Sequence, residues 1–268
     1  VNKKIILVIA VVATAIGVGL VMRWGAGSRM DAPAGKAAEL LAEAKKSELQ
    51  GDLLGAKNMY QQLVGEFPNA RPVMDWQKKI EDLTMRLLFS PVITAKSVEY
   101  EVKPGDSLEK IAREHKTTVE LIKRSNNLSS ENIFPGKKLK VWTAPFSVVV
   151  DKSQNTLILK SDEEIFKTYT IASGTNNSTP VGTFKIIEKL VNPPWYKPGG
   201  GMAPPGSPEN ILGTRWMGLN KEGYGIHGTT EPKSLGTQST AGCIRMLNAE
   251  VEELYGIVPQ GTEVTIVD

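Results

Sequence analysis

Two side chains in this sequence could run nucleophilic chemistry, and both lie in one short stretch near the C-terminal end. Cys243 is the protein's single cysteine and His227 is one of its two histidines. A thiol attacks a carbonyl as its thiolate, so a catalytic cysteine calls for a neighbouring base that holds it ionised at neutral pH. An imidazole does this, and once protonated it can hand the proton to a leaving amine. The two residues are 16 positions apart, too far for one helical face but suited to two neighbouring strands or loops. Gly228, Gly236 and Gly242 punctuate the run as tight turns. Gly242 also leaves room for a substrate and for the backbone N–H groups of Ala241, Gly242 and Cys243 to face a developing oxyanion. Arg245 follows the thiol by two residues and on a strand would face the same side. Holding a substrate carboxylate or orienting the site is one reading of Arg245, and a structural ion pair is the other. Two histidines in separate parts of the chain and one cysteine cannot assemble a His/Cys metal centre, so neither metal nor cofactor is expected.

The stretch reads His227-Gly228-Thr229, then Ser234-Leu235-Gly236, then Thr240-Ala241-Gly242-Cys243-Ile244-Arg245-Met246. This ordered pattern resembles the signature of the L,D-transpeptidase (YkuD-type) catalytic domain of bacterial cell-wall synthesis. The resemblance implies a mainly-β domain in which Cys243 is the nucleophile and His227 its base. The carbonyl of Gly228 would fix the imidazole tautomer, and Ser239 and Thr240 would contact substrate. The implied reaction takes an acyl group from a tetrapeptide stem, releases D-Ala and passes the acyl group to a second stem's amine as a 3→3 cross-link. Water as acceptor (an L,D-carboxypeptidase), another amine, or a wall-binding protein with an inactive catalytic domain are the alternatives. Many relatives carry His or Lys where this chain has Ala241, which leaves His227 without a rival base. A papain-like peptidase would place its cysteine before its histidine, the reverse of the order here.

The elements that must position these residues run from 145 to 268. Segments 146–150, 155–159 and 166–171 read as strands, and Thr179-Pro180-Val181-Gly182-Thr183-Phe184 leads into another at 185–188. Residues 192–210 hold six prolines and four glycines, an irregular loop read as a flap with Trp195 and Tyr196 lining a substrate channel or packing on the sheet. A strand over 213–219 returns to His227, a helix is expected from 248 to about 257, and a closing strand over 263–267. The expected shape is a twisted β-sandwich-like domain.

Upstream, residues 98–142 combine a strand, a Pro104-Gly105-Asp106-Ser107-Leu108 turn, two short helices and a Pro135-Gly136-Lys137 turn into a final strand. This is similar to a LysM domain, which implies a βααβ module gripping peptidoglycan glycan between Gly105, Asp106, Ser107 and Ile133, Phe134, Pro135. His115 falls in its helical part, expected on the surface. Residues 36–90 carry a three- and four-residue apolar spacing that includes Leu40, Ala44, Leu49, Leu53, Ala56, Tyr60 and Leu63, with Gly51-Asp52 as a turn and a third helix over 73–88. This α-helical hairpin is similar to a single tetratricopeptide repeat, a spacer with or without a protein partner. Residues 1–26 contain Lys3-Lys4 and an 18-residue apolar run to Met22 closed by Arg23. As a helix the run spans about 27 Å, which fits a transmembrane anchor or a signal segment. Either places the rest outside the cytoplasm, where one thiol cannot form an internal disulfide. A net charge of +3 is too mild to argue for nucleic acid and fits an anionic envelope.

Overall fold

The structure, a computed structural model, describes residues 35–268. The apolar run expected as a membrane anchor lies outside the described residues. Among those described, no helix is long and apolar enough to cross a membrane. Two compact units divide the chain after Leu88.

The first unit is three helices: α1 (Lys36–Leu49), α2 (Leu53–Glu66) and α3 (Val73–Leu88). Asp52 starts α2 by accepting from the Gly55 N–H at 2.9 Å. Ala37, Leu40, Ala44, Ala56, Tyr60, Leu63, Val73 and Trp76 fill the core. Leu49 departs from the expected stripe: it ends α1 and is 90% exposed, because the chain turns away at Gly51 with φ +80°.

The second unit opens with β1 (Ser97–Glu101), α4 (Leu108–Glu114), α5 (Val119–Ser125) and β2 (Lys138–Trp142), with β1 and β2 antiparallel. The βααβ order is the expected one. Ser107 and Thr118 cap the two helices by accepting from Lys110 N and Leu121 N. Leu108, Ile111, Ile122, Leu139 and Val141 form the small core. His115 sits at the end of α4, edge-on to the Tyr100 ring at 5.5 Å, half-buried rather than on the surface.

The remainder forms β3 (Phe146–Asp151), β4 (Thr156–Ser161), β5 (Glu164–Thr170), β6 (Ser173–Gly174), β7 (Gly182–Val191), β8 (Trp195–Tyr196), β9 (Met202–Ala203), β10 (Arg215–Leu219), β11 (Gly225–His227), β12 (Gln238–Thr240), β13 (Ile244–Arg245), α6 (Asn248–Ile257) and β14 (Glu263–Val267). Eight strands join in the order β13-β11-β10-β7-β14-β3-β4-β5. The long β7 belongs to both halves. Its residues 182–185 pair with β14 and its residues 186–191 with β10, where a bulge at Gly218/Leu219 shifts the register. A strand shared this way lets one hydrogen-bonded series fold over itself as a sandwich does. β3 is buried along nearly its whole length, as a strand paired on both sides requires. The expected flap contains a miniature hairpin of its own, β8 against β9. Helix α6 buries Val251, Leu254 and Ile257 and packs on β10 and β11, beside the candidate site.

Candidate active site

The edge of the sheet sets His227, at the end of β11, on the strand next to β13, which Cys243 directly precedes. β11 and β13 run parallel, with Ile226 opposite Ile244 and His227 opposite Arg245. Directly opposed residues in a parallel pair point to the same face, and alternation returns the same face two residues away. His227 and Arg245 therefore share one face, while buried Ile226 and Ile244 fill the other, and Cys243 directly precedes β13. Trp216 stands opposite His227 on β10 and its ring stacks on the imidazole at 6.0 Å and 26°.

His227 is buried, and its Nδ1 lies 2.7 Å from the Gly228 carbonyl oxygen. A carbonyl can only accept, so the proton resides on Nδ1 and Nε2 is left as the basic nitrogen. Asn248, at the start of α6, holds the peptide that follows. Its Oδ1 accepts from the Thr229 and Thr214 N–H groups at 3.0 and 3.3 Å. A side chain at Gly228 would strike that oxygen, with 2.1 Å left for a Cβ.

Burial pushes the imidazole down to about 4, against a smaller upward effect of the Gly228 carbonyl. Burial also raises the Cys243 thiol above its usual range, with Gly225's backbone and the Arg245 charge opposing. The sequence predicts a thiolate held by its base. In the structure, desolvation disfavours the charged form of each group. In this resting arrangement Sγ donates to the Gly223 carbonyl at 3.4 Å.

The loop carrying the thiol is pinned from inside. Thr240 Oγ1 accepts from Gly242 N at 3.1 Å and donates to the Cys243 carbonyl at 2.7 Å. This corrects two expectations. Thr240 is buried and turned inward rather than offered to substrate, and the Gly242 N–H is occupied, so of the three amides expected to face an oxyanion only those of Ala241 and Cys243 are left. Ser239 remains exposed, its hydroxyl 3.4 Å from the Ser234 carbonyl. Gly242 adopts φ +137°, a conformation L side chains rarely take.

Arg245 is buried and ion-paired: Nη1 reaches Glu231 Oε2 and Ser234 Oγ, both at 2.9 Å, while Nε has no partner among the described residues. The ion-pair reading of Arg245 is therefore realised, with one donor left over. Tyr196 is 75% exposed on its hairpin and Trp195 is half-buried; neither ring has a described contact with Cys243.

On the βααβ module, the two loops expected to grip glycan lie side by side, joined by Gly136 N to Val102 O at 2.8 Å and Val102 N to Lys137 O at 2.9 Å. Gly105, Ser107, Phe134 and Pro135 are exposed and Ile133 is half-buried. Asp106 is not offered to a ligand. Its carboxylate takes Tyr100 OH at 2.7 Å, Lys103 N at 2.9 Å and Lys110 Nζ at 2.8 Å, contacts that hold it well below the usual carboxylate range.

Comparison with known proteins agrees with this architecture. Residues 145–266 match the L,D-transpeptidase catalytic domain family YkuD and residues 100–142 match the LysM domain family. A Bacillus licheniformis protein named as an L,D-transpeptidase YkuD is 37% identical over 175 residues, spanning 62% of this chain and 97% of the relative. A Bacillus subtilis protein of the same name is 36% identical over 174 residues, with the same coverage. Among solved structures, an L,D-transpeptidase from Mycobacterium smegmatis aligns over 50% of this chain and 64% of its own, at 18% identity and a TM-score of 0.41. The chain belongs to the YkuD-type L,D-transpeptidases and carries a LysM domain.

Proposed function

We propose that the protein is a cysteine acyltransferase of the bacterial cell wall that forms 3→3 cross-links. The observation that supports this is the parallel pairing of β11 with β13, which sets His227 on the strand beside the one Cys243 precedes, with its Nδ1 committed to Gly228. Sγ attacks the carbonyl that joins the third stem residue to the terminal D-Ala. An S–C bond forms while Nε2 takes the thiol proton, so no thiolate need stand in the resting enzyme. The tetrahedral oxyanion faces the Ala241 and Cys243 amides. As it collapses, the C–N bond breaks and the proton passes from Nε2 to the departing D-Ala amine, leaving a thioester. The side-chain amine of a second stem then attacks the thioester, giving its proton to Nε2, which returns it to Sγ. Arg245 orients the site through its ion pair with Glu231 and its hydrogen bond to Ser234.

Residues 145–268 are assigned to this chemistry and 98–142 to holding glycan strands through Gly105, Ser107, Ile133, Phe134 and Pro135. The 36–90 helices serve as a tetratricopeptide-like spacer. The protein works at the cell envelope, outside the cytoplasm, with segment 1–26 as its membrane or export signal. Incubating the protein with disaccharide-tetrapeptide and weighing the products tests the reaction. Dimers lacking one D-Ala support transfer, tripeptide monomers alone support hydrolysis, and persistence of either activity in Cys243→Ala overturns the assignment.

A further inference from the structure

Thr179 lies between β6 and β7, 64 positions before the thiol, and is 1% exposed. Its hydroxyl accepts from Gly174 N at 2.8 Å and donates to the Gly242 carbonyl at 2.9 Å. Its own carbonyl receives the buried Lys152 Nζ at 3.0 Å, and that ammonium lies 3.4 Å from the Asp268 carboxylate. From the other side, Thr240 Oγ1 takes Gly242 N and gives to Cys243 O. Three successive peptide planes are thus fixed: 241–242 through its N–H, 242–243 through its carbonyl and 243–244 through its carbonyl.

The middle plane matters most. In a trans peptide the carbonyl and the N–H point in opposite directions, and the described chain has no cis bond. Anchoring the Gly242 oxygen on Thr179 therefore aims the Cys243 N–H away from Thr179. Gly242 has no side chain to restrict that plane, and its φ of +137° is one that only glycine rotates through freely. Close packing supports the same geometry, since a Cβ on Gly174 would stand 2.8 Å from Gly242 Cα.

We infer that Thr179 and Thr240 are positioning residues of the oxyanion hole, clamping the peptides on both sides of Cys243 so that its N–H is held toward the reacting carbonyl before substrate arrives. This rests on the acyl-transfer reading. Preorganised donors need no reorientation as charge develops, and that is the source of their advantage over water.

The test separates thiol reactivity from oxyanion stabilisation. A carbapenem acylates the thiol through an oxyanion, whereas iodoacetamide alkylates it by displacement and forms none. Thr179→Val is expected to slow carbapenem acylation about 10- to 100-fold, less than removal of a donor outright, with the alkylation rate unchanged. Thr179→Ser is expected to restore acylation. Wild-type acylation in Thr179→Val, or an equal fall in both rates, overturns the inference. If Thr179→Val shows no cooperative melting transition, Thr240→Val is measured with the same two reagents and judged by the same outcomes. Failure of the wild-type thiol to acylate overturns instead the acyl-transfer reading on which the inference rests.

Discussion

If His227 is the base, lowering the pH should spare activity long after an ordinary histidine would have been protonated. Burial sets its pKa at about 4 in place of 6.5. At pH 5 about nine-tenths of the imidazole is then neutral, against about 3% for an unshifted ring. The same shift couples to stability. The unfolded chain binds the proton near 6.5 and the folded chain near 4, so between these values the unfolded state holds more protons. Stability from this residue is complete above pH 6.5, falls as pH drops, and stops falling below about 4. Evaluating the linkage between pH 7.5 and 5 gives a loss of about 2 kcal/mol. Two assays check the reasoning. Timed carbapenem acylation of wild type should show its acid midpoint near pH 4. Urea unfolding of wild type and His227→Gln at both pH values should show the loss in wild type beyond that of the variant. An acid midpoint near 6.5, together with equal pH dependence of the two proteins' stability, would refute the buried-imidazole account.

Two further substitutions probe the loop and the glycan grip. Gly242→Ala must accommodate φ +137° and a Cβ 2.8 Å from Tyr224 Cε1. A loss of about 1–3 kcal/mol in denaturant unfolding is expected, with acylation reduced as the loop shifts. Phe134→Ala removes a ring that is 72% exposed and so contributes little to the core. Its melting temperature should match wild type, while affinity for N-acetylglucosamine oligomers measured by calorimetry should fall about tenfold if that ring stacks on sugar. An unchanged affinity would remove Phe134 from the proposed glycan site.

What could be read from the chain and what could not divides along sequence separation. Helix α6 and strand β14 fall at the residues expected because their signals are local: apolar residues at helical spacing, then a turn, then alternation. Ser107 as a cap is equally local. Cys243 and His227 stood out because each type is so scarce and the pattern between them so ordered. Thr179 did not, since its hydroxyl acts on a carbonyl 63 residues away. Trp216 on His227 and Asn248 under the following peptide are tertiary contacts of the same kind. The inward turn of the Thr240 hydroxyl is hidden in the sequence, because residue type says nothing about which way a hydroxyl points. Charge is hidden for a related reason: the sequence shows a thiol and a base, whereas the cost of charging either is set by how much water the fold removes. Leu49 fits a helical stripe by spacing, and only the turn at Gly51 shows that the stripe ends before it.

Helix α6 links the LysM module to the loop that follows His227. At its first turn Asn248 holds the loop that follows His227. At its far end the Gly256 carbonyl accepts from the Thr118 hydroxyl, the cap of α5 in the LysM module. Ten residues of helix, about 15 Å, thus separate a contact of the LysM module from a support of the loop after His227. Other contacts reinforce the junction. Trp142 at the end of β2 stacks on Phe146 at 5.6 Å and meets Phe166 edge-on at 5.5 Å. Lys96 donates to the Ser161 carbonyl at 2.5 Å and pairs with Glu164 at 3.2 Å. Only residues 143–145 lie between β2 and β3, too few for a free tether. The LysM module therefore acts as a seated part of the catalytic unit. On the proposed function, a glycan strand gripped by it would present its stems to Cys243 from a direction the fold sets.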